Sequence, residues 1–197
     1  MEAWLEHLIK QCILYSLPVL ISLTSITIVE SRTARRPVPH PFYSIHWTGS
    51  WLPFLAAIVF FRGVIIALPQ PLQSGSRAAM YRCLTHLTLC MLGFLLYSWS
   101  LKYPPLIGSP PLHHWWAKLF MFYNLCMACM HLLPLPGQWL GELLTASKYG
   151  APLSRLSDRQ SVGIYTLLAA SPLIDLLLGE TVIYPVYTLL ANMAEAL

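Results

Sequence analysis

Apolar runs of membrane-crossing length recur along this chain, and they limit its fold more than any other feature. The first is "IKQCILYSLPVLISLTSITIV", residues 9–29, with Pro18 inside it as an expected kink. Others lie at 78–101, 115–135 and 162–179. Each approaches the ~20 residues that a helix needs to cross the hydrocarbon core. Composition gives the same reading. The chain is 56% hydrophobic and 10% charged, with mean hydropathy +0.59, where soluble domains average about 25% charged. A core for 197 residues cannot bury so much apolar surface, so much of it must face membrane lipid. In lipid every backbone polar group must find its partner within the protein, which favours helices. The expected fold is an all-α polytopic membrane protein forming one domain, 1–197. It has about four transmembrane helices, one further hydrophobic segment that is re-entrant or a fifth span, and an interfacial C-terminal helix over "ETVIYPVYTLLANMAEAL".

The fifth segment, "WLPFLAAIVFFRGVIIALPQP" at 51–71, is long enough to span. Arg62 stands at its middle, where a charge is expensive, followed by Gly63 and bracketed by Pro53, Pro69 and Pro71. A re-entrant hairpin buried in protein accommodates these residues. It also gathers the basic residues Arg32, Arg35, Arg36, Arg77, Arg82, Lys148, Arg155 and Arg159 on one side, which the positive-inside rule makes cytoplasmic. Arg62 is expected to pair with Glu30 or Asp175, or to reach the nearer surface. The formal charge of +4 belongs to these loops, and no basic run interleaved with aromatics points to nucleic acid. The N-terminal "MEAWLEHLIKQ" is acidic and amphipathic, so the first run reads as a retained span rather than a cleaved signal. The five cysteines lie in or beside apolar segments, as unpaired buried thiols do.

One segment ends in an unusual way. "MHLLPLPGQWLGELL", residues 130–144, leaves the membrane through Pro134 and Pro136 and breaks at Gly137, which stops a helix at a set depth. The longer stretch "NLCMACMHLLPLPGQWLG" resembles the second signature of the site-2-protease family, the intramembrane zinc metalloproteases, through Asn124, Ala128, Leu132, Leu133, Pro134, Pro136 and Gly141. "HPFYSIHWTGSWLPF" is similar to a stretch of the compact bacterial members through Pro41, Ile45 and Gly49, with Ser50 for Thr. "ALPQPLQ", "CLTH" and "SPLIDLLLGETVIYP" follow in matching order. The resemblance implies a bacterial inner-membrane protein with the family's fold.

The resemblance also implies a metal site whose ligands are missing here. The family holds zinc with His-Glu-x-x-His and the Asp of Leu-Asp-Gly, and the Glu polarises the zinc-bound water. In this chain Glu30 stands for that Glu, with Val29 and Thr33 where the histidines belong. Gln138 and Trp139 occupy the place of the Asp, and Glu142 comes a few residues late. No catalytic residue and no cofactor are therefore expected. A relocated zinc site would draw on His40, His46, His86, His131, Cys126 and Cys129. Those histidines stand where the family has Asn or Asp, and the simpler reading is that they hydrogen-bond to carbonyls freed by prolines. The expected function is an inactive scaffold, accessory subunit or assembly factor binding another transmembrane protein, with Phe42, Tyr43, Trp47, Trp51, His131 and Trp139 as anchors. The alternatives are a metalloprotease with a rebuilt metal site and a small transporter component.

Overall fold

The computed structural model describes residues 2–38, 40, 47–72, 75–103, 110–145, 147, 153 and 155–197. Every regular element among them is helical. In chain order they are α1 (Glu2–Thr33), a π-helical turn (Trp47–Trp51) running into α2 (Leu52–Val59), α3 (Ser76–Leu101) and α4 (Leu112–Met130). Then come α5 (Trp139–Thr145), α6 (Asp158–Ala170), a π-helical run (Asp175–Ile183) and α7 (Tyr184–Ala196). Three helical stretches are long and apolar enough to cross a membrane: Trp4–Thr33, Ser76–Leu101 and Asp175–Ala196.

α4 is the centre, packed against α1, α3 and the Asp175–Ile183 run. Its C-terminal part, from Phe120 to Met130, is buried without a break. It is shorter than the three membrane-length stretches and opens with His113, His114 and Lys118, and protein surrounds its buried part. The run expected at 115–135 accordingly stops as a helix at Met130. α3 and α4 approach closely at Gly93, where a Cβ would lie 2.7 Å from the Met121 backbone. The outer face of α3 presents Leu84, Leu87, Met91 and Leu95 exposed at helical spacing. In water such a stripe would be a liability; against lipid tails it is ordinary.

Residues 51–71 are not one helix. α2 stops at Val59, Phe61 adopts φ 53, and the chain returns extended through the buried stretch Val64–Leu68. The return meets the entry: the Leu68 N–H donates to the Gly49 carbonyl at 3.4 Å, and the Ser50 hydroxyl donates to the Leu68 carbonyl at 2.8 Å. An extended backbone beside helices needs outside partners. Tyr123 of α4 supplies one, donating to the Ala67 carbonyl at 2.9 Å. Residues 51–71 thus fold back on themselves as a hairpin, the path the re-entrant reading of this segment requires. Its tip reaches the N-terminal end of α1, where Phe61 packs on His7.

Arg62 has neither of its expected acidic partners. Its Nε donates to the Ala170 carbonyl at 2.9 Å, at the end of α6. Asp175 instead caps the hairpin turn, accepting from the Gly63 and Val64 backbone N–H groups at 3.4 and 2.8 Å and from the Tyr184 hydroxyl at 3.1 Å. Glu30 is taken by a different arginine.

The expected span 162–179 is also broken. Pro172 forces the residue before it out of helical geometry, and Ser171 is extended, with ψ 158. The apolar length that could cross lies further on, at 175–196, joining the end of that expected span to most of the segment expected to be interfacial. Its first end is tied to the hairpin turn through Asp175, and its last turn to α3 through the Tyr97–Glu195 hydrogen bond at 3.1 Å.

Gly93→Ala should separate α3 from α4 and lower stability by about 1–3 kcal/mol, read as the midpoint of unfolding in detergent by circular dichroism. Gly163→Ala, whose new Cβ meets nothing within 4 Å in α6, should raise it by roughly 0.5–1 kcal/mol.

Candidate functional site: a buried polar centre

Four stretches far apart in sequence converge beside the proline stop: the C-terminal turn of α1, the end of the returning hairpin, the N-terminal half of α3, and the α4–α5 connection. Arg82 is the hub. It is 2% exposed, yet it carries a permanent charge and satisfies it with three partners. Nε donates to the Glu30 carboxylate, Nη1 to the Leu72 carbonyl at 2.9 Å and Nη2 to the Pro71 carbonyl at 2.7 Å. By sequence Arg82 counts among the loop cations, and the fold overturns that. Arg82 lies in the second turn of α3 on the face that meets α1, because residues 82 and 86 share a helix face. That spacing, Arg82 to His86 in "RCLTH", was the available signal.

His86 forms a second layer. Asn124 Nδ2 donates to the Ser22 hydroxyl at 2.9 Å and to the Phe120 carbonyl at 2.8 Å, while the Ser22 hydroxyl gives its own proton to the Pro18 carbonyl at 2.8 Å. A carbonyl only accepts, so the amide orientation is fixed, and Asn124 Oδ1 must accept from His86 Nδ1 at 2.8 Å. His86 therefore carries its proton on Nδ1. His131, with its ring centroid 6.0 Å from that of His86, has the opposite arrangement. Its Nδ1 accepts from the Trp139 backbone N–H at 3.2 Å, so the proton sits on Nε2.

The proline stop itself is closed by its own residues. Gly137 has φ 76, and a Cβ there would come within 2.5 Å of the Leu72 carbonyl. Its N–H donates to Glu142 at 3.0 Å, the Leu140 N–H returns to the His131 carbonyl at 3.1 Å, and Tyr165 of α6 donates to the Pro136 carbonyl at 2.7 Å. Glu142, the acid that comes late in the motif, thus caps the turn. Gly141 lets α5 start against the Leu135 carbonyl, which a Cβ would strike at 1.8 Å.

The remaining expected site residues divide. Val29 is half-buried on α1 and Thr33 is exposed, its hydroxyl bonded to the Val29 carbonyl at 2.7 Å. Gln138 is buried beside Arg82, His86 and His131, and these four border a void of about 10 Å³. Such a space is at the lower limit for one water. His86 Nε2 and Gln138 Oε1 have no protein partner. His40 is exposed. Cys126 and Cys129 are buried in the apolar core. Trp139 is half-buried, and Trp51 packs edge-on against Phe54 at 5.3 Å. His46, Phe42, Tyr43 and Lys148 lie outside the described residues, and Trp47 opens the π-helical turn.

A zinc ion does not suit this donor set. Among the described residues no group of three or more His, Cys, Asp or Glu side chains is placed to hold a metal. The His131 nitrogen that is not bonded to backbone carries a proton, and a guanidinium stands beside both rings. Glu30, held by Arg82, is an ion-pair partner rather than a base facing a water. The centre joins α1, α3, α4 and the hairpin by charge and hydrogen bonding.

Among the described residues these features define a helical fold with three helices long and apolar enough to cross a membrane and a buried polar centre. No protein-family model, curated protein or solved structure matches the chain.

Removing Arg82 leaves Glu30 and two carbonyls unpaired. Arg82→Ala should therefore cost about 3 kcal/mol, while replacing both partners by apolar residues (Arg82→Met with Glu30→Leu) should restore much of the loss. Detergent unfolding of the single and double variants checks this. In ¹⁵N spectra of histidine-labelled protein, His86 should appear as the Nδ1–H tautomer and His131 as the Nε2–H tautomer. Any other pairing would contradict the hydrogen-bond assignment.

Proposed function

We propose that this chain is a catalytically inactive, site-2-protease-like membrane protein of the bacterial inner membrane. It crosses the bilayer about four times and serves as a scaffold, accessory subunit or assembly factor for another transmembrane chain. The observation that carries this reading is the convergence at the polar centre. Glu30, Pro71, His86, Asn124, His131 and Gln138 are among the positions that the family resemblance aligns, and they meet around one buried centre. In such a family the centre would hold a metal ion and its water. Here the cation in contact with the glutamate is the Arg82 guanidinium, which neutralises the carboxylate and offers no ligand position for a water. A fold kept with its hydrolytic parts replaced retains a surface that can hold a membrane segment without cutting it.

The hairpin supports the topology. Its two arms meet at Gly49 and Leu68, so the chain enters and leaves on one side. This fits the proposed orientation, in which Arg32, Arg35, Arg36, Lys148, Arg155 and Arg159 are the cytoplasmic charges. Trp51 and Trp139, both half-buried, remain the anchors from which a partner helix would be held.

A photo-crosslinking residue placed at Trp139 or Trp51 in cells should join this chain to one discrete transmembrane protein. The same residue at Leu95, on the outer face of α3, should not. Purified protein should contain far less than one zinc per chain by elemental analysis. Stoichiometric zinc lost in His131→Ala would instead establish the rebuilt metalloprotease, and crosslinks to lipid alone at all three positions would remove the scaffold reading.

A further inference from the structure

A groove opens sideways between α1 and α3, with α4 as its floor. Pro18 and Ile21 form one wall, Leu92 and Leu96 the other, and Ala117 and Phe120 the base. It encloses about 310 Å³ and its lining is almost wholly apolar. At the polar centre α1 and α3 are clamped together by Glu30 and Arg82; away from that clamp the groove lies between them. Its walls run on into exposed apolar surface at Ile21, Leu92 and Leu96.

We propose that this groove is a binding site for one acyl chain of a membrane phospholipid. Size decides against a protein occupant. A helix with its side chains is about 10–12 Å across, whereas an apolar cavity of ~150 Å³ takes one benzene ring. The groove therefore holds about a dozen carbons in a row. The polar end fixes the direction. Ser100 and His113 line the groove where α3 ends and α4 begins, together with the exposed indole of Trp99, and exposed Lys102 follows two residues after Ser100. Interfacial tryptophans sit at headgroup level, and basic groups there attract anionic headgroups. The phosphate sits beside Trp99 and His113, at the end where Lys102 caps α3, and the chain runs inward along Leu96 and Phe120 toward Pro18. Packing against the groove, rather than escape from water, holds the chain, since the surrounding lipid is equally apolar.

The test is native mass spectrometry of the full-length protein. It is reconstituted in vesicles of mixed phosphatidylglycerol and phosphatidylcholine, extracted in mild detergent and weighed intact. One phospholipid should remain per chain, with phosphatidylglycerol preferred. Ala117→Phe, which fills the floor, should lose that adduct, and Leu92→Trp in the wall should do the same. Leu84→Phe, on the exposed face outside the groove, should keep it. Lys102→Gln should keep the lipid and lose the headgroup preference. Circular dichroism melts identify any variant that fails to fold, and either groove variant that folds is decisive. Equal retention in a folded groove variant, a bound detergent in place of phospholipid, or adducts of no fixed number would overturn the proposal.

Discussion

The Arg82 guanidinium is the constraint on which the rest of this structure depends. A buried arginine cannot shed its proton, so it must be surrounded by acceptors or the fold does not form. Here the acceptors come from α1 and from the returning arm of the hairpin, while Arg82 itself belongs to α3. One side chain thus ties three elements directly to one another, where their other polar links run through α4. Between helices in lipid, where burial of apolar surface gives little driving force, a directional charged contact specifies more than it would in water.

The layer beside it extends the same logic. Asn124 uses both amide protons and its oxygen, Ser22 passes its proton to a carbonyl on its own helix, and His86 and His131 hold opposite tautomers. These assignments occupy most of the lone pairs and protons of the centre and leave His86 Nε2 and Gln138 Oε1 facing the small void. A centre built this way is rigid, and that rigidity suits a protein whose proposed role is to hold another chain. The lateral groove is the opposite kind of feature: apolar, open and undirected, and fitted to a flexible lipid tail.

The proline stop is held by backbone geometry. Pro134, Pro136 and Gly137 follow the end of α4 at Met130, and close backbone approaches at Gly137 and Gly141 depend on the missing Cβ. The residues just past the stop turn inward. Gln138 is buried in the centre, Trp139 gives its N–H to His131, and Glu142 caps the loop.

The sequence by itself determined the helical class and the long helices at residues 9–29 and 78–101, favoured a fold-back at 51–71, and marked a helix stop a few residues past the observed end of α4 at Met130. Each of these arises from local chemistry: runs of apolar residues, Arg62 in a segment rimmed by prolines, and the φ restriction of proline itself. Tertiary structure alone decided which arginine is buried, which acid it meets, and where the last membrane-length helix begins. Arg82 and Arg62 look alike in sequence, and each is one charge in an apolar neighbourhood. Only the packing of α3 against α1 brings Glu30 to the first, and only the end of α6 brings the Ala170 carbonyl to the second. A charge in an apolar run is a local fact, but its partner lies 52 residues away in one case and 108 in the other, and no local pattern records that distance.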